Sequence, residues 1–165
     1  MSHHRPQSVG MNQIIRPLTA FLTSNAIGYD THPDHAIVRI RMQVESVFWH
    51  CFARQDRSGR FQMVSQVPDK TSPTASSACT ELLARINSRL GFGHFEINYP
   101  ESRLGFRTVV PLANGNDLGD SLIEHAFQTH LAVIPEFLPS FQAVLSGKQP
   151  PAAALQENIA AVTWS

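Results

Sequence analysis

Residues 47–67 read VFWHCFARQDRSGRFQMVSQV, and this stretch decides the fold. Val47 to Arg54 is β-branched and aromatic, with Phe48, Trp49 and Phe52 at its centre. Phe61, Met63 and Val67 alternate with Gln62 and Gln66, as in a strand with one face buried. Between them lies Asp56-Arg57-Ser58-Gly59, whose glycine tolerates the left-handed backbone that tight turns require. The reading is an antiparallel hairpin. Its first strand is apolar on both faces: Trp49 and Cys51 point one way, Phe48 and Phe52 the other. Such a strand sits centrally and asks for cover on both sides. One cover is a helix layer; the other is either a second subunit or more of this chain.

Upstream, Val38, Ile40 and Met42 alternate with Arg39 and Arg41, giving a further strand. Ile14, Ile15, Leu18, Phe21 and Leu22 recur at helical spacing, with Pro17 either in the first turn or at a kink. The span 25–34, with Gly28 and Pro33, reads as a connection. Downstream, Ser72-Pro73 marks a helix start, and Cys79, Leu82, Leu83, Ile86 and Leu90 form one apolar stripe that Gly91 stops. Phe95, Ile97 and Tyr99, then Leu104 to Leu112, make a second hairpin. After Asn114-Gly115-Asn116 an apolar stripe runs from Leu118 to Leu145 and is interrupted by Pro135 and Pro139. It predicts one kinked helix or two in series. A short Ala-rich helix over 152–158 closes the chain. The order is α-β-β-β-α-β-β-α, an α+β fold on an antiparallel sheet of about five strands. Residues 1–10 read as a flexible arm, 11–157 as one domain and 158–165 as a tail.

Charge narrows the function. Lys plus Arg and Asp plus Glu number 13 each, so the chain is neutral and lacks the basic excess expected of a nucleic-acid or anionic-membrane partner. Charged residues make up only 16%, which weakens repulsion between copies and favours self-association. No apolar leader or membrane-length run appears, and two cysteines give no disulfide framework, so the expectation is a cytoplasmic protein.

Motif searches yield little chemistry. There is no G-x-S-x-G elbow, phosphate loop or dinucleotide fingerprint; Gly91-Phe92-Gly93 leads into a strand, the wrong context. Cys51 and Cys79 lie in apolar patterns that disfavour a thiolate. His32-x-x-His35 sits beside Asp30 and Asp34, ligand types that suit a divalent metal, although a solvated loop explains them as well. His125 and His130 are five apart on a helix and share no face, so each reads as a surface residue or a partner of a backbone group. Neither a catalytic residue, a metal site nor a cofactor is expected.

The passage Leu82 to Asn87, then Leu90-Gly91-Phe92-Gly93-His94-Phe95-Glu96-Ile97, is similar to the "helix, Asn, Gly-x-Phe-x-Ile" passage of the YbjN family. Arg103 to Val110 with Phe106-Arg107, and Pro139 to Gly147 followed by a proline and Ala152 to Leu155, resemble that family's next strand and closing helices. The likeness covers about residues 11–157. It implies a type III secretion chaperone-like fold, whose secretion members pair as homodimers and bind extended segments of other proteins, and a role in bacterial sensory transduction. Those chaperones are commonly acidic, whereas this chain is neutral, and its polar arm has no counterpart.

The leading expectation is therefore a non-enzymatic, chaperone-like regulatory domain, a homodimer that binds another protein through Phe48, Trp49, Phe52, Phe137 and Phe141. The alternative is a small-molecule or metal-dependent enzyme with a pocket lined by His32, His35 and His94. A third reading, nucleic-acid binding on the Arg39, Arg41, Trp49, Phe52 and Arg54 face, lacks the net positive charge it needs.

Overall fold

The computed structural model describes residues 8–32, 36–70, 76–112 and 119–161. Helix α1 (Ser8–Ser24) leads into strands β1 (Tyr29–His32), β2 (Ile37–Val44), β3 (Val47–Gln55) and β4 (Phe61–Lys70). Helix α2 (Ser76–Asn87), strands β5 (His94–Asn98) and β6 (Arg103–Val110), and helices α3 (Asp120–Leu145) and α4 (Pro151–Ala161) follow. The strands form one six-stranded antiparallel sheet in the order β1-β2-β3-β4-β6-β5.

The class agrees with the sequence reading, with one strand more than the five expected. The extra strand is β1, inside the stretch read as a connection. Its four residues, Tyr-Asp-Thr-His, are mostly exposed and show no apolar alternation. They become a strand because they pair with the free edge of β2, from Tyr29 opposite Ile40 to His32 opposite Ile37. Helix α1 begins at Ser8, inside the expected arm, and continues through Pro17. The apolar stripe of α3 is a single helix, with both prolines inside it. Each proline removes one backbone hydrogen bond. The burial of eleven of its residues holds the helix together. The Ser72-Pro73 start and the Asn114-Gly115-Asn116 break lie outside the described residues.

All the helices lie on one side of the sheet. α1 and α3 rest on the central strands, α2 packs against β5, and α4 lies over α2 and α3. Period-2 alternation explains which side chains they cover. Trp49, Cys51 and Ala53 of β3, Phe61, Met63 and Ser65 of β4, and Leu104, Phe106 and Thr108 of β6 all point to the helices and are buried. The core centres on Phe95, whose ring lies 5.0 Å from Phe106, 4.9 Å from Phe141 and 5.9 Å from Phe137.

Two local devices aim β5 into this core. The Asn87 side chain mimics a strand: its Nδ2 donates to the Phe95 carbonyl at 3.0 Å, and its Oδ1 accepts the Phe95 N–H at 2.7 Å. Gly93, at φ +81, turns the chain where a Cβ would lie 2.6 Å from the Phe106 ring and 2.8 Å from the Arg107 carbonyl. Both the backbone angle and the space exclude any other residue.

A candidate protein-binding face on the open side of the sheet

The odd and even residues of β3 have different fates. Those facing the helices are core; those facing away, Phe48, His50, Phe52 and Arg54, have no helix above them among the described residues. Phe48 is 64% exposed. Phe52 is half-buried in a row that runs across the whole sheet in register: Asp30, Arg39, Phe52, Val64, Arg107 and His94. Beside Phe52, Ile37 and Val64 widen an apolar strip.

Arginines frame this strip. Arg39 donates to Asp30 at 2.7 Å, and that hydrogen bond holds the Asp30 carboxyl below its ordinary value. Arg107 grips Glu96 with two hydrogen bonds, of 2.8 and 2.6 Å. This bidentate pairing fixes both side chains. The Arg41 guanidinium lies over Gly28, where a Cβ would come within 2.8 Å of it. Between β3, β4, β6 and β5 the face sinks into a cleft of about 280 Å³, lined by Phe52, Arg54, Val64, Glu96, Arg103 and Arg107 among others. Gly105 forms part of its lining and projects no side chain into it.

The five residues expected to bind a partner are not brought together. Trp49, Phe137 and Phe141 are buried in this chain's own core, while Phe48 and Phe52 are on the open face. Alternation puts Trp49 and Phe48 on opposite sides of one strand, so no single surface holds both. Phe137 and Phe141 lie on the buried side of α3, which faces the sheet.

The histidine-lined pocket also does not form. His32 is on edge strand β1 and His94 on the opposite edge strand β5, five strand spacings apart. At about 4.8 Å per spacing, that is roughly 24 Å. His35 lies outside the described residues. Among those described, no three His, Cys, Asp or Glu side chains are placed to hold a metal ion. Glu96 is committed to Arg107.

His130 corrects another expectation. It is neither on the surface nor bonded to backbone but fully buried between α3 and the sheet. Ser65 Oγ lies 2.7 Å from its Nδ1 and Thr108 Oγ1 3.0 Å from its Nε2. Trp49 Nε1 donates to Ser65 at 3.0 Å. Burial pushes the imidazole from 6.5 down to about 3. A ring this reluctant to take a proton is a poor general base, and Ser65 and Thr108 are as buried as it is. Cys51 Sγ, 3.9 Å from Nδ1, is pushed up to about 12 by burial, so it is no nucleophile at neutral pH. His130 with Trp49, Cys51, Ser65 and Thr108 clamps helix to sheet. The sequence carried a signal for them: His130 is three residues after Phe127 and four before Ile134, on the apolar stripe. Ser65 and Thr108 stand at core-facing positions of alternating strands. His125, by contrast, is exposed, its ring 4.9 Å from Phe92.

No helix among the described residues is long and apolar enough to cross a membrane. No curated protein matches the chain. The profile of one family, described as "Putative bacterial sensory transduction regulator", matches residues 15–143. That span runs from α1 to near the end of α3 and takes in every strand, Asn87, Gly93 and the open face. The chain belongs to the YbjN family.

Proposed function

We propose that this domain is a non-enzymatic regulator that works by binding a segment of another protein on the open face of its sheet. The observation that carries the reading is the central strand β3, which no helix covers on this side among the described residues: Phe48 is largely exposed, and beyond His50 on the same face Phe52 forms a half-buried apolar strip with Val64 and Ile37. Exposed and half-buried apolar side chains within a charged frame are the usual character of an interaction surface. Trp49, Phe137 and Phe141 then serve the binding face from behind, as the core that keeps β3 flat and β5 in register. Self-association is the second part of the reading. It is supported by the low charge density and by exposed edge strand β1.

Site-specific photocrosslinking in the source cell tests the reading. A crosslinking amino acid replaces Phe48 or Phe52, and in a control it replaces exposed Gln142 on α3. One protein captured from both sheet positions and not from the helix supports the open face. Capture from the helix alone, or equal capture from all three, refutes it. Light scattering of the purified chain tests self-association separately: a monomer mass at high concentration removes that part only.

A further inference from the structure

We infer that the cleft on the open face anchors a carboxylate-bearing, extended segment of the partner, laid across the strands; this rests on the protein-binding reading above. Among the described residues the hydrogen-bonding capacity left over on this face is mostly on the donor side, Glu101 being the one of its carboxylates outside an ion pair. Five arginines, Arg39, Arg41, Arg54, Arg103 and Arg107, stand against three carboxylates, Asp30, Glu96 and Glu101. Asp30 is bonded to Arg39 and Glu96 to Arg107. Among the described residues Arg54 and Arg103 have no carboxylate partner, and both line the cleft. Unpaired donors beside a cleft call for an acceptor with more than one lone pair, and a carboxylate fits the forked geometry of arginine.

Ile37, Phe52 and Val64 give the same cleft an apolar end, so the occupant carries apolar side chains at one end and carboxylates at the other. Its reach sets the length. Measured square to the strands, the cleft's lining runs from β2 to β5, four strand spacings. That is about 19 Å, or roughly six extended residues. The missing side chain at Gly105 lets a peptide backbone approach the sheet. Single-stranded nucleic acid fits less well, because the protein carries no net positive charge to hold a phosphate chain. A second copy stacked face to face would set arginine against arginine.

The test titrates acetylated hexapeptide amides in which three leucines precede three Glu, three Gln or three Lys residues, and separately oligothymidylate, into the full-length protein. Amide chemical shifts and calorimetry are read. The Glu-Leu peptide is expected to shift the amides of Phe52, Val64, Gly105 and Arg107 and to bind at least about fivefold tighter than the Gln-Leu peptide, a preference that salt erodes. The double variant Arg54→Gln, Arg103→Gln should lose that preference with unchanged thermal unfolding. Equal binding of the Glu and Gln peptides overturns the carboxylate anchor while leaving the protein-binding reading in place. So does an unchanged affinity in the double variant. Preference for the Lys peptide or for oligothymidylate overturns it outright. If no probe shifts the open-face amides, the inference falls, and crosslinking from Phe48 and Phe52 decides the broader reading independently.

Discussion

Acidification probes the clamp between α3 and the sheet. In the folded chain the His130 imidazole is held neutral, its value pushed from 6.5 down to about 3 because burial strips the charged form of its solvation. In the unfolded chain it takes a proton as pH falls through about 6.5. The unfolded state thus binds more protons than the folded state between these two values, so stability falls as pH falls through that window. From about pH 8 to about pH 5 the loss is about 2 kcal/mol. For a chain of this size that is roughly 4–8 °C in Tm. Burial raises the Glu136 carboxyl, which acts in the opposite direction, so the total slope is not the measure of His130. The measure is the difference between the native chain and His130→Gln, each unfolded in urea at both pH values. The native chain should lose about 2 kcal/mol more than the variant over that range. If the variant does not fold, the native His130 ring resonances give the answer directly: they should remain those of a neutral imidazole down to about pH 5. A ring that titrates near 6, or equal slopes in the two proteins, would refute the claim that His130 is buried neutral.

Other expectations follow from single contacts. Gly93→Ala must place a Cβ 2.6 Å from the Phe106 ring at φ +81. It should destabilise by about 2 kcal/mol or more in denaturant titrations and raise amide exchange in β5. Asn87→Ala removes both side-chain bonds to Phe95 and should cost about 1–3 kcal/mol, again with the largest exchange increase in β5. Cys51, fully buried with its thiol pushed up to about 12, should resist alkylation at neutral pH until urea unfolds the chain, which mass spectrometry of the modified peptide reads. Phe48→Ser should change stability by less than about 0.5 kcal/mol, because its side chain is largely outside the core.

Much of the fold is written in local periodicity. The alternation in β2, β4, β5 and β6 and the 3.6-residue stripes of α1, α2 and α3 are properties of neighbouring residues. They survive any change of tertiary context, so the α+β class and both hairpins were legible. The turn at Asp56 to Gly59 was legible for the same reason. Gly59 adopts φ +79, and Asp56 Oδ1 accepts the N–H groups of Ser58 and Arg60. Strand β1 was not legible, since its residues carry no pattern of their own and become a strand only against the open edge of β2.

The sequence alone determined that β3 is apolar on both sides and that little familiar chemistry accompanies it. It could not say which side is covered, because Phe48 and Phe52 alternate with Trp49 and Cys51 on equal terms. Only the tertiary structure decided that. The helices all pack on one face, making Trp49 core and leaving Phe52 among the arginines. The same packing turned His130 inward and took His32 and His94 to opposite edges. Periodicity reports which side chains share a face; what lies above that face depends on where distant parts of the chain come to rest.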